Sequence, residues 1–247
     1  MIARRALAQA GSLLLLGIAW QGLVLAVPGT VLASPLQVAQ ALSAALQGDM
    51  LHHLSVTLAR VAAAFTVALS LGTLIGLALG RLPALDGLVD GWVGFFLNLP
   101  ALVTTILCFL WFGLTETATL AAVAANKIPS VVVTIREGAR ALDPGYAALA
   151  RTYRFGRWKT LRHVLMPQLA PYLVVAARNG LALIWKIVLV VELLGRSDGI
   201  GFKLHLLFQM FDIAGILAYS LSFIAIVQVI EVALLSPFQR RIEAWHG

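Results

Sequence analysis

Four basic side chains lie inside apolar stretches of this sequence, Arg60, Lys127, Arg178 and Lys186, against two acidic ones, Glu192 and Glu231. An ionisable group among apolar residues is costly in a membrane and is kept where it pairs, binds or conducts something. Arg178, Trp185 and Glu192 follow one another at seven-residue spacing, and so do Asn179 and Lys186. On a helix each set forms a stripe, and the two stripes adjoin. The segment therefore has one polar face, which must look at protein or water rather than lipid. The excess of positive charge suits an anion moving along that face. The same charges could instead pin helices together, with Lys186 or Arg178 on Glu192 or Glu231. Arg178 and Glu192 are roughly 21 Å apart along one helix and cannot pair within it. Asn98 beside Pro100, and Asn126 and Lys127 beside Pro129, add polar positions in two further apolar stretches. The sequence admits both readings: a translocation path lined by Asn98, Asn126, Lys127, Arg178, Asn179, Trp185, Lys186 and Glu192, or a packing role for the same charges.

A second cluster is of another kind. The stretch RTYRFGRWKTLRH, residues 151–163, holds Arg151, Arg154, Arg157, Lys159 and Arg162 and no acid, in a chain of which only 12% is charged. Tyr153, Phe155 and Trp158 are interleaved with the basic residues. Aromatic residues and arginine are the types enriched where one protein docks on another. Asp143–Pro144–Gly145 marks a turn before it, and good helix formers follow in YAALARTYRF. The sequence GRW interrupts that helix, KTLRHVLM resumes it, and Pro167 is expected to close it. Two short helices about a glycine-marked break make a projecting elbow. Docking on a partner is one reading of it; a topology signal, or attraction to anionic lipid, is the other.

Catalytic chemistry is not written here. The nearest approach to a phosphate-binding loop is GRWKT at 156–160, which lacks the first glycine and the Gly-Lys pair of G-x-x-x-x-G-K-[ST]. Cys108 is the only cysteine, so neither a disulfide nor a thiolate cluster forms within one chain. His52 and His53 are neighbours near a membrane surface, where solvated side chains are the simpler reading. No catalytic residues, no metal site and no cofactor of this chain's own are expected.

The elements that carry these groups follow from hydropathy. Sixty per cent of the 247 residues are hydrophobic, mean hydropathy is +0.92, and apolar runs of about twenty residues recur. We read an all-α integral membrane protein, one transmembrane domain over 1–247, with six spans at about 10–30, 55–79, 90–112, 116–136, 172–194 and 214–236. The loop 137–171 carries the elbow. Ser34 before Pro35 starts a short amphipathic helix on the opposite side. Outside the spans, twelve basic residues fall on the elbow side: Arg4, Arg5, Arg81, Arg136, Arg140, the five of the elbow, Arg240 and Arg241. Arg196 and Lys203 fall on the other. The positive-inside rule puts the elbow and both termini in the cytoplasm. In such a chain the net charge of +7 reflects membrane topology and not nucleic-acid binding. The first apolar run is longer than a signal core, so a retained helix is expected over cleavage near Ala33.

From about Ser34 onward the chain resembles the inner-membrane permease subunits of ABC importers, in particular the nitrate, sulfonate and taurine type. The resemblance rests on ILCFLWFGLTETA at 106–118, EGARALDP at 137–144, ALARTYRFGRWKTLRHVLMP at 148–167, WKIVLVVELLGRSDGIGF at 185–202 and the terminal QRRIEAWHG. It implies a homodimer of permeases, two separate ATPase subunits that bind ATP and Mg, and a periplasmic or lipid-anchored solute-binding protein. It implies import of a small solute across the bacterial inner membrane. It also implies that residues Ala148, Ala150, Arg151, Thr152, Tyr153, Arg154, Phe155, Gly156, Arg157 and Trp158 form a coupling helix docked on the ATPase. Two positions depart from the pattern. Ala148 stands where the family usually has Glu, and Arg154 where it usually has Gly, with Gly156 two residues later. Arg disfavours the left-handed backbone that a Gly permits, so either the turn has moved to Gly156 or the helix runs on. A secondary transporter or channel would also account for the membrane charges but leaves the elbow without a task.

Overall fold

The computed structural model describes residues 2–26 and 32–246, with side chains for 11–12, 14–26, 32–146 and 148–233. Residues 27–30 of the first expected span lie outside the described residues, as do the side chains of Arg4, Arg5, Ala147 and everything from Ser236 through the terminal QRRIEAWHG. Among the described residues every regular element is helical. They are α1 (Ile2–Ala26), α2 (Pro35–Gln47), α3 (Met50–Arg81), α4 (Pro83–Leu97), α5 (Ala101–Phe112), α6 (Glu116–Arg140), α7 (Pro144–Thr152), α8 (Arg157–Thr160), α9 (Met166–Gly195), α10 (Ile200–Gln209) and α11 (Ile213–His246), with a π turn at Leu161–Leu165 joining α8 to α9.

The start of α2 is the one the sequence announces. Ser34 accepts a hydrogen bond from the Gln37 amide at 3.3 Å, and the Gln37 side chain accepts from the Ser34 amide at 2.8 Å. That reciprocal pair satisfies two of the donors a helix start leaves free, and Pro35 has no N–H to satisfy.

Four helical runs are long and apolar enough to cross a membrane: Met50–Arg81, Glu116–Arg140, Arg157–Gly195 and Ile213–Ala233. The expected span at 90–112 is not one helix. It divides into α4 and α5, bent by 97° at Asn98–Leu99–Pro100, and would make a fifth crossing if the two halves count as one. Pro100 lacks an N–H and restricts the residue before it to extended backbone, so the chain breaks there. Asn98 caps α4 by donating to the Gly94 carbonyl at 2.8 Å.

Pro167 does not close the elbow. The helical run passes through it into α9, because the widened turn at Leu161–Leu165, with the Met166 amide reaching back to Leu161, accommodates a residue that cannot donate.

The tightest pairing is α3 on α6. Gly72, Gly76 and Gly80 lie on one face of α3, and a Cβ at Gly76 or Gly80 would stand 2.7 or 2.8 Å from the Val132 or Arg136 carbonyl. Small residues let membrane helices approach this closely, where packing rather than the hydrophobic effect drives association. The core between α3, α6, α9 and α11 holds Val61, Val123, Ile184, Val188 and Phe223, with Trp185 edge-on to Phe223 at 5.7 Å.

Candidate functional site: the elbow and the membrane charges

The elbow is built from α7, a four-residue turn and α8. Asp143 accepts from the Gly145 amide at 2.7 Å and so caps α7, while its own amide donates to Gln168 on α9 at 3.0 Å. The turn is where the sequence left a choice, and both offered alternatives are wrong. Arg154 itself is left-handed, with φ +50°, whereas Gly156 is extended with φ −64° and ψ 160°. The Phe155 amide donates to the Ala150 carbonyl at 2.8 Å and the Arg154 amide to Arg151 at 3.0 Å. This is a Schellman end, in which crossed bonds satisfy the last carbonyls of α7. The position ordinarily suited to glycine holds an arginine, and the bonds keep it there. Phe211 does the same after α10, at φ +54°, with Asp212 donating to Leu207.

Of the ten elbow residues singled out, Ala150 is buried, Phe155 is half-buried, and Ala148, Arg151, Thr152, Tyr153, Arg154, Gly156, Arg157 and Trp158 are exposed. Ala150 therefore contributes its carbonyl to the turn and not a contact surface. Tyr153 and Trp158 are 68% and 72% exposed. Phe155 is roofed by Lys159, whose Nζ stands 4.2 Å from the ring centroid. Tyr146 and Leu149, outside the residues singled out in sequence, extend the exposed apolar face along α7.

The eight membrane positions do not share one surface. Asn98, Arg178, Asn179 and Lys186 are exposed, Asn126 is half-buried, and Lys127, Trp185 and Glu192 are buried. Residues seven apart on a straight helix drift by about 20° per repeat. That drift turns Trp185, and then Glu192, out of the exposed arc of α9 that holds Arg178, Asn179 and Lys186. Lys127 is 1% exposed and donates to Ser130 at 3.0 Å and to the Asn179 carbonyl at 3.4 Å, tying α6 to α9. Glu192 pairs with neither Lys186 nor Arg178. Among the described residues neither of these two basic groups has an acidic partner.

The partner of Glu192 is Arg60, at the end of the helices remote from the elbow. All five N–H donors of Arg60 are used. Nε and Nη2 reach Glu116 at 3.0 and 2.5 Å, Nη1 reaches Glu192 and the Asp198 carbonyl at 2.9 Å each, and Nη2 reaches the Asp198 carboxylate at 2.5 Å. Glu192, fully buried, also accepts from the Thr57 hydroxyl and the Gly201 amide, each at 2.9 Å. The amides of Gly199 and Ile200 donate to His53 Nδ1 at 3.0 Å and to Thr57 at 2.8 Å. Three successive amides at the start of α10 are thus received by side chains of α3 and α9. Gly199 is at φ +102°, and at Gly201 a Cβ would stand 2.8 Å from that of Glu192, so the turn needs both glycines. Arg196 extends the cage by a bond to Glu116 at 2.5 Å. Burial pushes the Asp198 carboxyl up, but the hydrogen bond and charge of Arg60 outweigh it and hold the group below its ordinary value. Beside the cage, the hydrogen bond from Lys203 to Asp49, 2.6 Å long, holds that carboxyl well below the usual range. Tyr219 and His53 also bond to Asp49. In the sequence Arg60 is one span charge among four with no visible partner, because its partners lie 56, 132 and 138 residues away. An arginine in an apolar span was itself the available signal.

At the elbow end, Arg136 bonds to Asp86 at 3.0 Å and to Asp90 at 2.6 Å, and Arg140 also bonds to Asp86. Two of the residues counted for topology are therefore also paired between α6 and α4. Among the described residues no His, Cys, Asp and Glu gather into a metal-binding group.

The family of binding-protein-dependent transport system inner membrane components matches residues 68–243. The taurine transport system permease protein TauC of Escherichia coli is 25% identical over 202 residues, covering 82% of this chain and 73% of that one. The bicarbonate transport system permease protein CmpB of Synechococcus elongatus is 24% identical over 190 residues, covering 76% and 65%. In fold, the chain is similar to the MetNI methionine ABC transporter in an inward-facing conformation, with TM-score 0.58 at 18% identity over 75% of this chain and 92% of that one. It is also similar to an amino acid ABC transporter solved with histidines, with TM-score 0.57 at 21% identity, covering 79% and 92%. The exposed elbow, the membrane-embedded charges and a match over most of the length agree: the chain belongs to the binding-protein-dependent transport system inner membrane component family, as a non-catalytic permease subunit of an ABC importer in the bacterial inner membrane, where a separate ATPase and a solute-binding protein complete the system.

Proposed function

We propose that two copies of this chain form the path for a small anionic solute, each with six spans, α1 included, and with the elbow and both termini in the cytoplasm. Two ATPase subunits bind ATP and Mg and receive the elbows. Tyr153 and Trp158, with Tyr146 and Leu149 beside them, present apolar area to a partner, and Arg151, Arg154 and Arg157 supply a polar rim. Taurine and bicarbonate, named for the two relatives, are anionic or carry an anionic group, and the solute here is of that class.

The observation that carries the anion reading is the pair Arg178 and Lys186 on the exposed arc of α9, without an acidic partner among the described residues. Lipid does not tolerate such groups, so they face water or protein. In a homodimer the exposed arc meets the space between subunits, where two such arcs supply four positive charges. Asn98, at the break between α4 and α5, and Asn179 add neutral hydrogen-bonding groups. Lys127, Trp185 and Glu192 are placed behind this face and support it.

The test is Lys186→Ala in the assembled transporter, with taurine, methanesulfonate, nitrate and bicarbonate as probe solutes. Uptake falls while the ATPase remains bound, because an exposed lysine contributes nothing to the fold of the subunit. Unchanged uptake of every solute that the wild type moves would remove α9 from the path.

A further inference from the structure

The Arg60 cage and the elbow lie at opposite ends of the subunit, and one element reaches both. From Arg157 to Gly195 the chain is a single helical run of 39 residues. Its first turn belongs to the elbow, and its last turns carry Glu192. The α9 part alone spans roughly 45 Å at 1.5 Å per residue. Along its length it is fastened to its neighbours at successive levels. Gly138 of α6 admits the ring of Tyr172 near the elbow, where a Cβ would stand 2.5 Å from Cγ. Midway, Lys127 holds the Asn179 carbonyl. At the far end, Arg60 joins α9, α6 and the turn before α10 to α3 through Glu192, Glu116 and Asp198. Only this last fastening also grips the chain that leads on to α10 and α11.

We propose that Arg60 is a positioning residue for transport. By gripping three carboxylates from three segments it makes α3, α6, α9 and the start of α10 move as one body, so that a displacement of the elbow reaches the external end of the path. The proposal rests on the elbow being the ATPase-docking element. The side chain must be arginine for a geometric reason. Its planar fork points five donors in fixed, diverging directions, whereas the ammonium of lysine has three donors on one atom. A lysine keeps the charge but cannot make the five diverging bonds that Arg60 makes to Glu116, Glu192 and Asp198.

Hydrogen exchange on the wild-type complex of permease and ATPase tests the single-body claim without any solute. The amides of Gly199, Ile200 and Gly201 are expected to be as slow during ATP hydrolysis as at rest. Faster exchange during hydrolysis means that the cage opens in the cycle, and overturns the proposal. The positioning claim is tested by solute moved per ATP hydrolysed, using whichever of taurine, methanesulfonate, nitrate and bicarbonate the wild type moves fastest. Assembled Arg60→Lys complexes are expected to hydrolyse ATP and to lose roughly threefold or more of that ratio, within the range over which single residues modulate coupling. Asp198→Asn, which weakens one arm at the partly exposed edge, loses less and serves where Arg60→Lys does not assemble. A purely structural role lowers yield and thermal stability and leaves the ratio unchanged in both variants; that result overturns the proposal. Failure of the elbow reading is separate: the ATPase then stays bound and coupled when Phe155 and Trp158 are both alanine.

Discussion

At the elbow end of α9 the polar and aromatic side chains point away from the subunit; at the far end they point at one another. Trp158 and Tyr153 are about 70% exposed, while Arg60 and Glu192 are buried and hydrogen-bonded on every side. Both ends contain a conformation or a charge that is costly in isolation. The left-handed backbone of Arg154 is held by two main-chain bonds in a turn open to solvent. The buried charge of Glu192 is held by Arg60 and Thr57 of α3, more than 130 residues away in sequence, and by the Gly201 amide at the start of α10. A feature maintained locally can be altered with little effect on the rest of the fold. One maintained by long-range partners cannot, since removing Arg60 leaves the fully buried carboxylate of Glu192 without its ionic partner, away from water.

Arg60→Ala should give the largest effect. It strands the buried carboxylate of Glu192 and releases Glu116 and Asp198, and breaking a buried pair from one side costs about 3–5 kcal/mol. The expected outcome is loss of folded, assembled permease, measured as yield of monodisperse protein in detergent. A normal yield would mean that the two ends differ less than the structure implies.

Phe155→Ala together with Trp158→Ala is the counterpart at the elbow. Both side chains lie on or near the surface, so the permease alone should keep its thermal stability. Binding to the ATPase should weaken by about 2 kcal/mol or more, the cost of removing buried interface aromatics. Copurification with the ATPase reads the loss. Arg157→Ala, on the rim, should change binding little and mainly at low salt. A double variant that stays bound would reduce the elbow to a topology signal.

The smallest effect sharpens the comparison, because its sign is opposite. Arg154→Gly removes the steric cost of a left-handed L-residue, roughly 1 kcal/mol, partly offset by the added freedom of glycine in the unfolded chain. The elbow should become slightly more ordered, seen as slower hydrogen exchange of the Phe155 amide. Faster exchange would mean that the arginine side chain, and not the main chain, holds the turn.

Much of this was legible in the residues. Capping at Ser34, the turn at Asp143, the apolar runs and the aromatic-basic composition of 151–163 are local features, and local chemistry sets them. The spacing of Arg178, Asn179 and Lys186 placed those three on one face of α9, and the helix keeps them there. The family pattern usually has glycine at position 154, the residue that is left-handed here. Neither a turn at Gly156 nor a helix running on, the two alternatives the residues offered, is what forms; Arg154 takes the left-handed position, because that depends on which carbonyls α7 leaves to be satisfied.

Three outcomes were decided only by tertiary structure. The seven-residue spacing of Arg178, Trp185 and Glu192 suggested one stripe, but a burial boundary falls across it where α3 and α10 cover the far end of α9. Pro167 reads as a stop in sequence, and a π turn carries the helix through it. Arg60, which the sequence leaves without a role, has its ionic partners on α6, on α9 and in the turn before α10. Periodicity along one helix reports which side chains share a face. It does not report which neighbour covers that face, and in a membrane, where an uncovered charge is so costly, the neighbour determines whether a charge conducts or holds the helices together.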